Sequence, residues 1–398
     1  MTTPLAPAAW ALVALRANVQ PPRLMSAMLP AGKPAKSAVP QPGAELPEAQ
    51  KARFAEVKEE LAGLSAKFSQ NVLDATDAFA LYVEDEAELS GLPADVLANA
   101  RAAATRDGRQ GWKLTLHMPC YLPVMQYATN RALRETMYRA YATRASEFGP
   151  AERDNSTLMQ EIVALRQEES KLLGYANFAE VSLVPKMAES PQQVMDFLLD
   201  LAKRARPYAE KDMAELREFA RTECGLSDLQ AWDIAFVSEK LKEARYAFSD
   251  QEVKQYFTEP TVLKGLFGLI EKLFDVTIAP DTAPVWHESV RFFRIERAGQ
   301  LVGQFYLDPY ARPGKRPGAW MDDVRGRWKR PDNHTTQTPV AHLVCNYAKG
   351  VGGKPALLTH DDVTTLFHEF GHGLHHMLTQ VDDIGVAGIS GVEWDAVE

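Results

Sequence analysis

The chain has 398 residues, 46% hydrophobic and 24% charged, a composition that folds and suffices for one large domain or two or three small ones. A formal net charge of −9 argues against a general nucleic-acid binder. Three widely spaced cysteines, Cys120, Cys224 and Cys345, point to a reducing compartment and exclude a disulfide framework.

Residues 1–46 read as a low-complexity arm. Eight of the 25 prolines lie there, and the only charges before Glu45 are Arg16, Arg23, Lys33 and Lys36, so the stretch cannot bury enough apolar surface to fold alone. Ala8 to Leu15 is apolar, but no basic residue precedes it, Pro4 and Pro7 interrupt the approach, and it is too short to span a membrane. An acid-free, arginine-containing start faintly resembles an organelle transit peptide.

From Pro47 the pattern turns helical. Phe54, Val57, Leu61, Leu64, Phe68 and Val72 mark one long stripe, and further helices are expected over 94–106, 130–146, 155–173, 190–222, 231–245 and 260–274. The helix over 190–222 should start at Ser190 as cap, with Pro191 at the first helical position and Gln193 as capping partner; Pro207 should kink or divide it. Strand signals concentrate after Val285: VRFFRIE and QLVGQFYLD flank a turn at Ala298 and Gly299, and TPVAHLVCNY over 338–347 is a further strand. That last strand is expected at the edge of a small sheet, where it could pair with an extended peptide. Between hairpin and strand, Arg312, Lys315, Arg316, Arg325, Arg327, Lys329 and Arg330 read as a solvated loop, because Asp322 and Asp323 interrupt the basic run. Gly350-Val-Gly-Gly-Lys354 is not a phosphate loop, since Pro355 stands where Ser or Thr is required.

The informative stretch is Thr359 to Leu378, THDDVTTLFHEFGHGLHHML. Thr359 and Asp362 form a capping-box start, with Asp361 and Asp362 at the positive end of the helix dipole. Val363, Phe367, Phe370, Leu374, Met377 and Leu378 should gather on one face, with His368 and His372 opposite and Glu369 at the margin. His368-Glu369-x-x-His372 places two imidazoles at i and i+4, a spacing suited to one Zn²⁺, with Glu369 beside the metal as general base toward a water that the metal makes acidic. Five of the nine histidines lie in this stretch, which a merely solvated face does not require; His375 is a possible further contact. A third ligand is needed. The metzincin continuation is excluded, because its Gly and His positions hold His375 and Leu378, and spacing leaves Asp382, Asp383, Glu393, Asp395 and Glu398 all open. Gly385, Gly388 and Gly391 suggest a flexible connection to that ligand.

LFHEFGHGLHHMLTQ followed by GISGVEWDAVE resembles the M3 family of zinc oligopeptidases. The likeness extends back through GKPALLTHDDVTTLF, VAHLVCNY, FYLDPYARPGKRPGAWMDD, MAESPQQVMDFLLDLAKRARP, LPVMQYATNRALRETMYRAYATRAS and KFSQNVLDATDAF, covering about Leu46 to Glu398. It implies a mainly α, gluzincin-like metallopeptidase with a small β-sheet next to the zinc helix. It also implies one Zn²⁺ held by His368, His372 and, in WDAVE, Glu398, with Glu369 as catalytic base. The expected organisation is an arm over 1–46, a helical region over 47–280 and a partial catalytic region over 281–398. The expected function is cytoplasmic hydrolysis of short peptides, with no nucleic-acid or membrane partner. The resemblance further implies a chain truncated at both ends relative to the family, whose substrate-binding tyrosine and histidine side chains follow beyond residue 398. The alternative is a catalytically incomplete zinc- or peptide-binding module, or half of a split enzyme with a complementing C-terminal fragment.

Overall fold

The structure, a computed structural model, describes residues 43–247, 249–390 and 392. The arm up to residue 42 and the expected ligand Glu398 lie outside them. Helix α1 (Glu48–Ala78) is followed by β1 (Leu81–Val83), α2 (Ala94–Arg106), β2 (Trp112–Leu114), α3 (Met118–Tyr127), α4 (Arg131–Ala142), α5 (Ser156–Leu172), α6 (Phe178–Leu183), α7 (Pro191–Glu223), α8 (Ile234–Tyr246), α9 (Asp250–Lys254) and α10 (Glu259–Phe274).

The long helices expected from periodicity are present. Val57 and Leu61 of α1 pack on Ile162 of α5, and Arg53 Nε and Nη2 donate to the two carboxylate oxygens of Glu168 at 2.6 and 2.9 Å. A second core joins β1, β2, α2, α3 and α4 through Leu89, Leu114, Val124 and Met137. Helix α3 is not among the helices expected from periodicity; Pro119 sits in its first turn, where no N–H is needed, and Pro123 lies within it. Helix α7 begins as expected, with Ser190 Oγ accepting from the Gln193 N–H at 3.2 Å. It then runs as one helix through Pro207, so of the kink or division expected there the division does not occur. Every residue from 195 to 208 is exposed, so the carbonyl that loses its partner to Pro207 faces solvent and is not stranded in a core.

The second half carries a five-stranded mixed sheet in the order β3-β4-β5-β9-β6, where β3 is Thr277–Pro280, β4 Arg291–Arg297, β5 Gln300–Tyr310, β6 Trp320–Arg325 and β9 Val340–Tyr347. Ala298 (φ 49°) and Gly299 (φ 75°) make the two-residue turn between β4 and β5; positive φ at both positions matches the right-handed twist of the flanking strands. Strand β9 is not an edge: β5 pairs with it in parallel and β6 antiparallel, so its backbone groups are taken on both sides. Among the described residues, the open edge on that side belongs to β6. The basic segment expected as a loop supplies β6 and the two-residue strands β7 (Trp328–Lys329) and β8 (Thr336–Gln337). Helices α10 and α11 (His360–Met377) lie on one face of the sheet, with Phe267, Phe305 and Phe370 in mutual ring contact at 5.1–6.1 Å. The chain is thus mainly α-helical, with a small sheet beside the His-Glu-x-x-His helix. No described helix is long and apolar enough to cross a membrane.

Candidate metal centre

Helix α11 starts with the capping box read from its sequence. The Asp362 N–H donates to Thr359 Oγ1 at 3.0 Å, and the Thr359 N–H donates to Asp362 Oδ2 at 2.8 Å. Tyr347, from the core face of β9, donates its hydroxyl to the Asp362 carbonyl at 3.1 Å and fastens the first turn to the sheet. At the other end, His376 is buried and its Nε2–H donates to the Arg325 carbonyl of β6 at 3.1 Å. The helix is therefore held on β9 and β6 at both ends.

Its buried face differs from the one read by hydropathy. Leu366, Phe370, Gly373 and Met377 face the sheet, while Phe367 is exposed and Val363, Leu374 and Leu378 are only partly covered. The seam is rotated by roughly 60° relative to expectation, at 3.6 residues per turn. Two glycines explain it. A Cβ on Gly373 would lie 3.1 Å from Leu343 Cδ2, and one on Gly303 of β5 would lie 2.9 Å from Met377 Cβ, so helix and sheet approach where side chains are missing. Hydropathy gives glycine no weight in such a seam. The rotation carries Glu369 from the expected margin into the interior at 8% exposure.

His368 and His372 remain on the open side. Their Nε2 atoms are 3.0 Å apart and their rings stand nearly perpendicular, with centroids 4.6 Å apart. Two nitrogens bound at about 2.0–2.1 Å to one tetrahedral ion would be about 3.3 Å apart, so the donor pair fits a zinc ion. Around Glu369, the Cys345 thiol is pushed up to about 12, by burial first and with the Glu369 charge contributing; the Tyr347 hydroxyl is raised by burial first and then by Cys345, with Asp362 and Glu369 adding less. Both side chains therefore stay neutral beside the glutamate across the physiological range.

Among the described residues no cluster of three His, Cys, Asp or Glu side chains is assembled. Of the open third-ligand candidates, Asp382 is engaged by Arg327, Nη2 to Oδ1 at 2.8 Å, and Asp383 accepts the Gly385 N–H at 3.0 Å in a local turn. Glu393, Asp395 and Glu398 lie outside the described residues. His375 is exposed, and His376 points into the protein, where Gly388 packs on it closely enough that a Cβ would lie 2.9 Å from its Cα.

The basic run is less solvated than expected. On the opposite face of the sheet, Lys315 Nζ is buried and donates to Asp308 Oδ1 at 2.9 Å and to the Asp308, Tyr310 and Cys345 carbonyls at 2.6–3.0 Å. Burial alone would raise the Asp308 carboxyl, but hydrogen bonds from Arg312, Lys315 and the Trp286 indole outweigh it and hold the group at about 2. His342 belongs to this cluster through Trp286, with ring centroids 4.8 Å apart, and not to the paired histidines. Charge counting alone cannot reveal such a cluster, because the partner aspartate sits four and seven residues upstream in a strand.

A predominantly helical chain whose His-Glu-x-x-His helix lies on a small mixed sheet has the architecture of helical metallopeptidases. The model of peptidase family M3 matches residues 124–398, and the chain belongs to that family. It is 53% identical over 360 residues to oligopeptidase A of Salmonella typhimurium and 52% identical over 360 residues to that of Escherichia coli, each match covering 89% of this chain and 53% of the relative. It is 44% identical over 371 residues to the organellar (chloroplastic/mitochondrial) oligopeptidase A of Arabidopsis thaliana, covering 89% of this chain and 46% of the relative. The chain spans about half the length of the curated relatives it matches.

Proposed function

We propose that the chain carries the zinc site of an oligopeptidase and takes part in hydrolysing short peptides. The observation that carries this reading is the approach of the His368 and His372 Nε2 atoms to 3.0 Å of each other, one helical turn apart, with Glu369 next to His368 in sequence and buried beneath them. His368 and His372 hold the ion, and Glu398, implied by the family likeness, is the third ligand. Zinc, when bound, supplies a Lewis acid that polarises a carbonyl and lets water lose a proton near neutral pH. Glu369 accepts that proton and returns it to the leaving amine; its burial beside neutral Cys345 and Tyr347 strengthens its electrostatic interaction with the reacting groups. The open edge of β6, beside α11, is the place where an extended peptide can add as a strand, in place of the paired β9.

On the same footing we propose short oligopeptides as substrates, in keeping with the names of the relatives, action in the cytoplasm, and a division into an arm over 1–46, a helical region over 47–280 and a catalytic region over 281–398. A second reading is favoured by the exposed apolar residues of α7 and the half-length match: a catalytically incomplete module, or half of a split enzyme that needs a complement. Cleavage of an internally quenched peptide by the zinc-loaded chain, beside Glu369→Gln, separates the two. Turnover lost in the variant supports the enzyme reading. No turnover, with zinc bound at one per chain, supports the incomplete one.

A further inference from the structure

Strand β6 has two unlike faces. Its register on β9 places Met321 opposite Leu343 and Asp323 opposite Ala341, and Leu343 and Ala341 belong to the core that α11 covers. Residues directly opposite in an antiparallel pair point to the same side, so Met321 and Asp323 face α11, while Asp322, opposite His342, faces away. Met321 packs on that core. Asp323 is exposed, and among the described residues its carboxylate is in no ion pair or hydrogen bond. The cations that follow it in the chain do not neutralise it: Arg325 donates to the Thr338 carbonyl at 2.8 Å and Arg327 is paired with Asp382.

Two contacts fix the place of Asp323 along the helix. Leu343, the partner of Met321, packs on Gly373 so closely that a Cβ there would lie 3.1 Å from its Cδ2, and His376 Nε2–H donates to the Arg325 carbonyl at 3.1 Å. Asp323 lies between these points, level with the turn of α11 that follows His372. A carboxylate therefore stands at the rim of the paired histidines, on the strand whose outer edge is open among the described residues.

We propose that Asp323 sets a charge preference for substrate: a peptide laid as a strand on the β6 edge is favoured when the residue opposite Asp323 is lysine or arginine, and disfavoured when it is aspartate or glutamate. This rests on the reading that the β6 edge takes the peptide. A residue added opposite Asp323 projects to the same side of the sheet, toward α11, with Cβ atoms about 4.5–5.5 Å apart, where opposite charges attract across a pair and like charges repel. The adjacent residues of an added strand point to the other face, so the preference belongs to one substrate position. That separates it from the attraction of a chain of net charge −9 for basic peptides, which acts at every position.

The test measures peptide binding to the 398-residue chain in the presence of zinc, which does not require turnover. The probes are fluorescent heptapeptides of alanine and leucine in which one lysine, or one glutamate, is moved through each position in turn. The readouts are fluorescence anisotropy and amide exchange of 320–325. Selection by Asp323 requires a lysine-over-glutamate preference at one position that exceeds the uniform background by about fivefold or more. In Asp323→Asn that excess should vanish, in Asp323→Lys it should reverse, and Asp323→Glu should retain it. Asp322→Asn, on the far face, should leave it as in the parent. Both peptides are read on one sample, so their ratio does not depend on the fraction of chains that are folded. Protection of 320–325 without any position-specific preference, or a preference that survives Asp323→Asn, overturns this proposal alone. No binding, or binding that leaves 320–325 unprotected, overturns it together with the reading of the β6 edge.

Discussion

The Tyr347 hydroxyl donates to the Asp362 carbonyl at 3.1 Å, tying strand β9 to the first turn of the helix that carries His368 and His372. It is a partly buried hydrogen bond between two elements that also meet through apolar side chains such as Leu343 and Phe370. Tyr347→Phe removes the hydroxyl and leaves the carbonyl with its helical partner alone, an expected cost of about 1 kcal/mol in a urea melt, with the paired histidines untouched. An unchanged midpoint would show that the bond contributes nothing to seating the helix.

At the opposite end of that helix, Gly388 has φ +61° and leaves no room for a Cβ beside His376. Gly388→Ala combines left-handed strain with a clash against backbone, so about 2 kcal/mol or more of local stability should be lost. Limited proteolysis and amide exchange should show residues 383–390 released while the sheet stays protected.

Acid should act through the opposite face of the sheet. The Asp308 carboxyl sits at about 2 when folded, against about 3.9 for an unfolded aspartate. Its contribution, about 2 kcal/mol, is present above pH 4 and is lost as pH falls toward 2. Asp308→Asn should flatten the pH dependence of stability in that window, and Lys315→Met should cost about 3 kcal/mol at neutral pH by leaving a buried carboxylate short of a partner.

The turn of the β4–β5 hairpin offers a gain. Ala298 holds φ 49° without the side chain suited to it; Ala298→Asn, at home in the left-handed region, should raise stability by about 0.5–1 kcal/mol. A lower melting temperature would contradict that reading of the turn.

How much of this was legible from the sequence depended on whether the signal was local. Ala94–Arg106 matches the expected boundaries, the Thr359–Asp362 capping box is present, and the Ala298-Gly299 turn joins the two expected strands, because each is written within a few consecutive residues. The failures are non-local. Periodicity could not show that Gly303 and Gly373 would rotate the helix seam and bury Glu369. Nor could it place β6 on the far side of β9 and so shift the open edge. Lys315 looked like one of seven solvated cations, yet it is the buried partner of a carboxylate on β5. The approach of His368 to His372 was legible because two residues at i and i+4 on a capped helix leave tertiary structure little to decide. A carboxylate to complete the proposed site was not, because spacing left five open.

A zinc ion held by His368 and His372 should be visible in the metal content of the protein. The purified 398-residue chain, dialysed against a weak chelator, should retain one zinc per chain. His368→Ala and His372→Ala should each lower apparent affinity by about 100-fold or more, while Glu369→Gln keeps the metal. Zinc retained at parental affinity after both histidines are replaced, or lost in Glu369→Gln, would contradict the account.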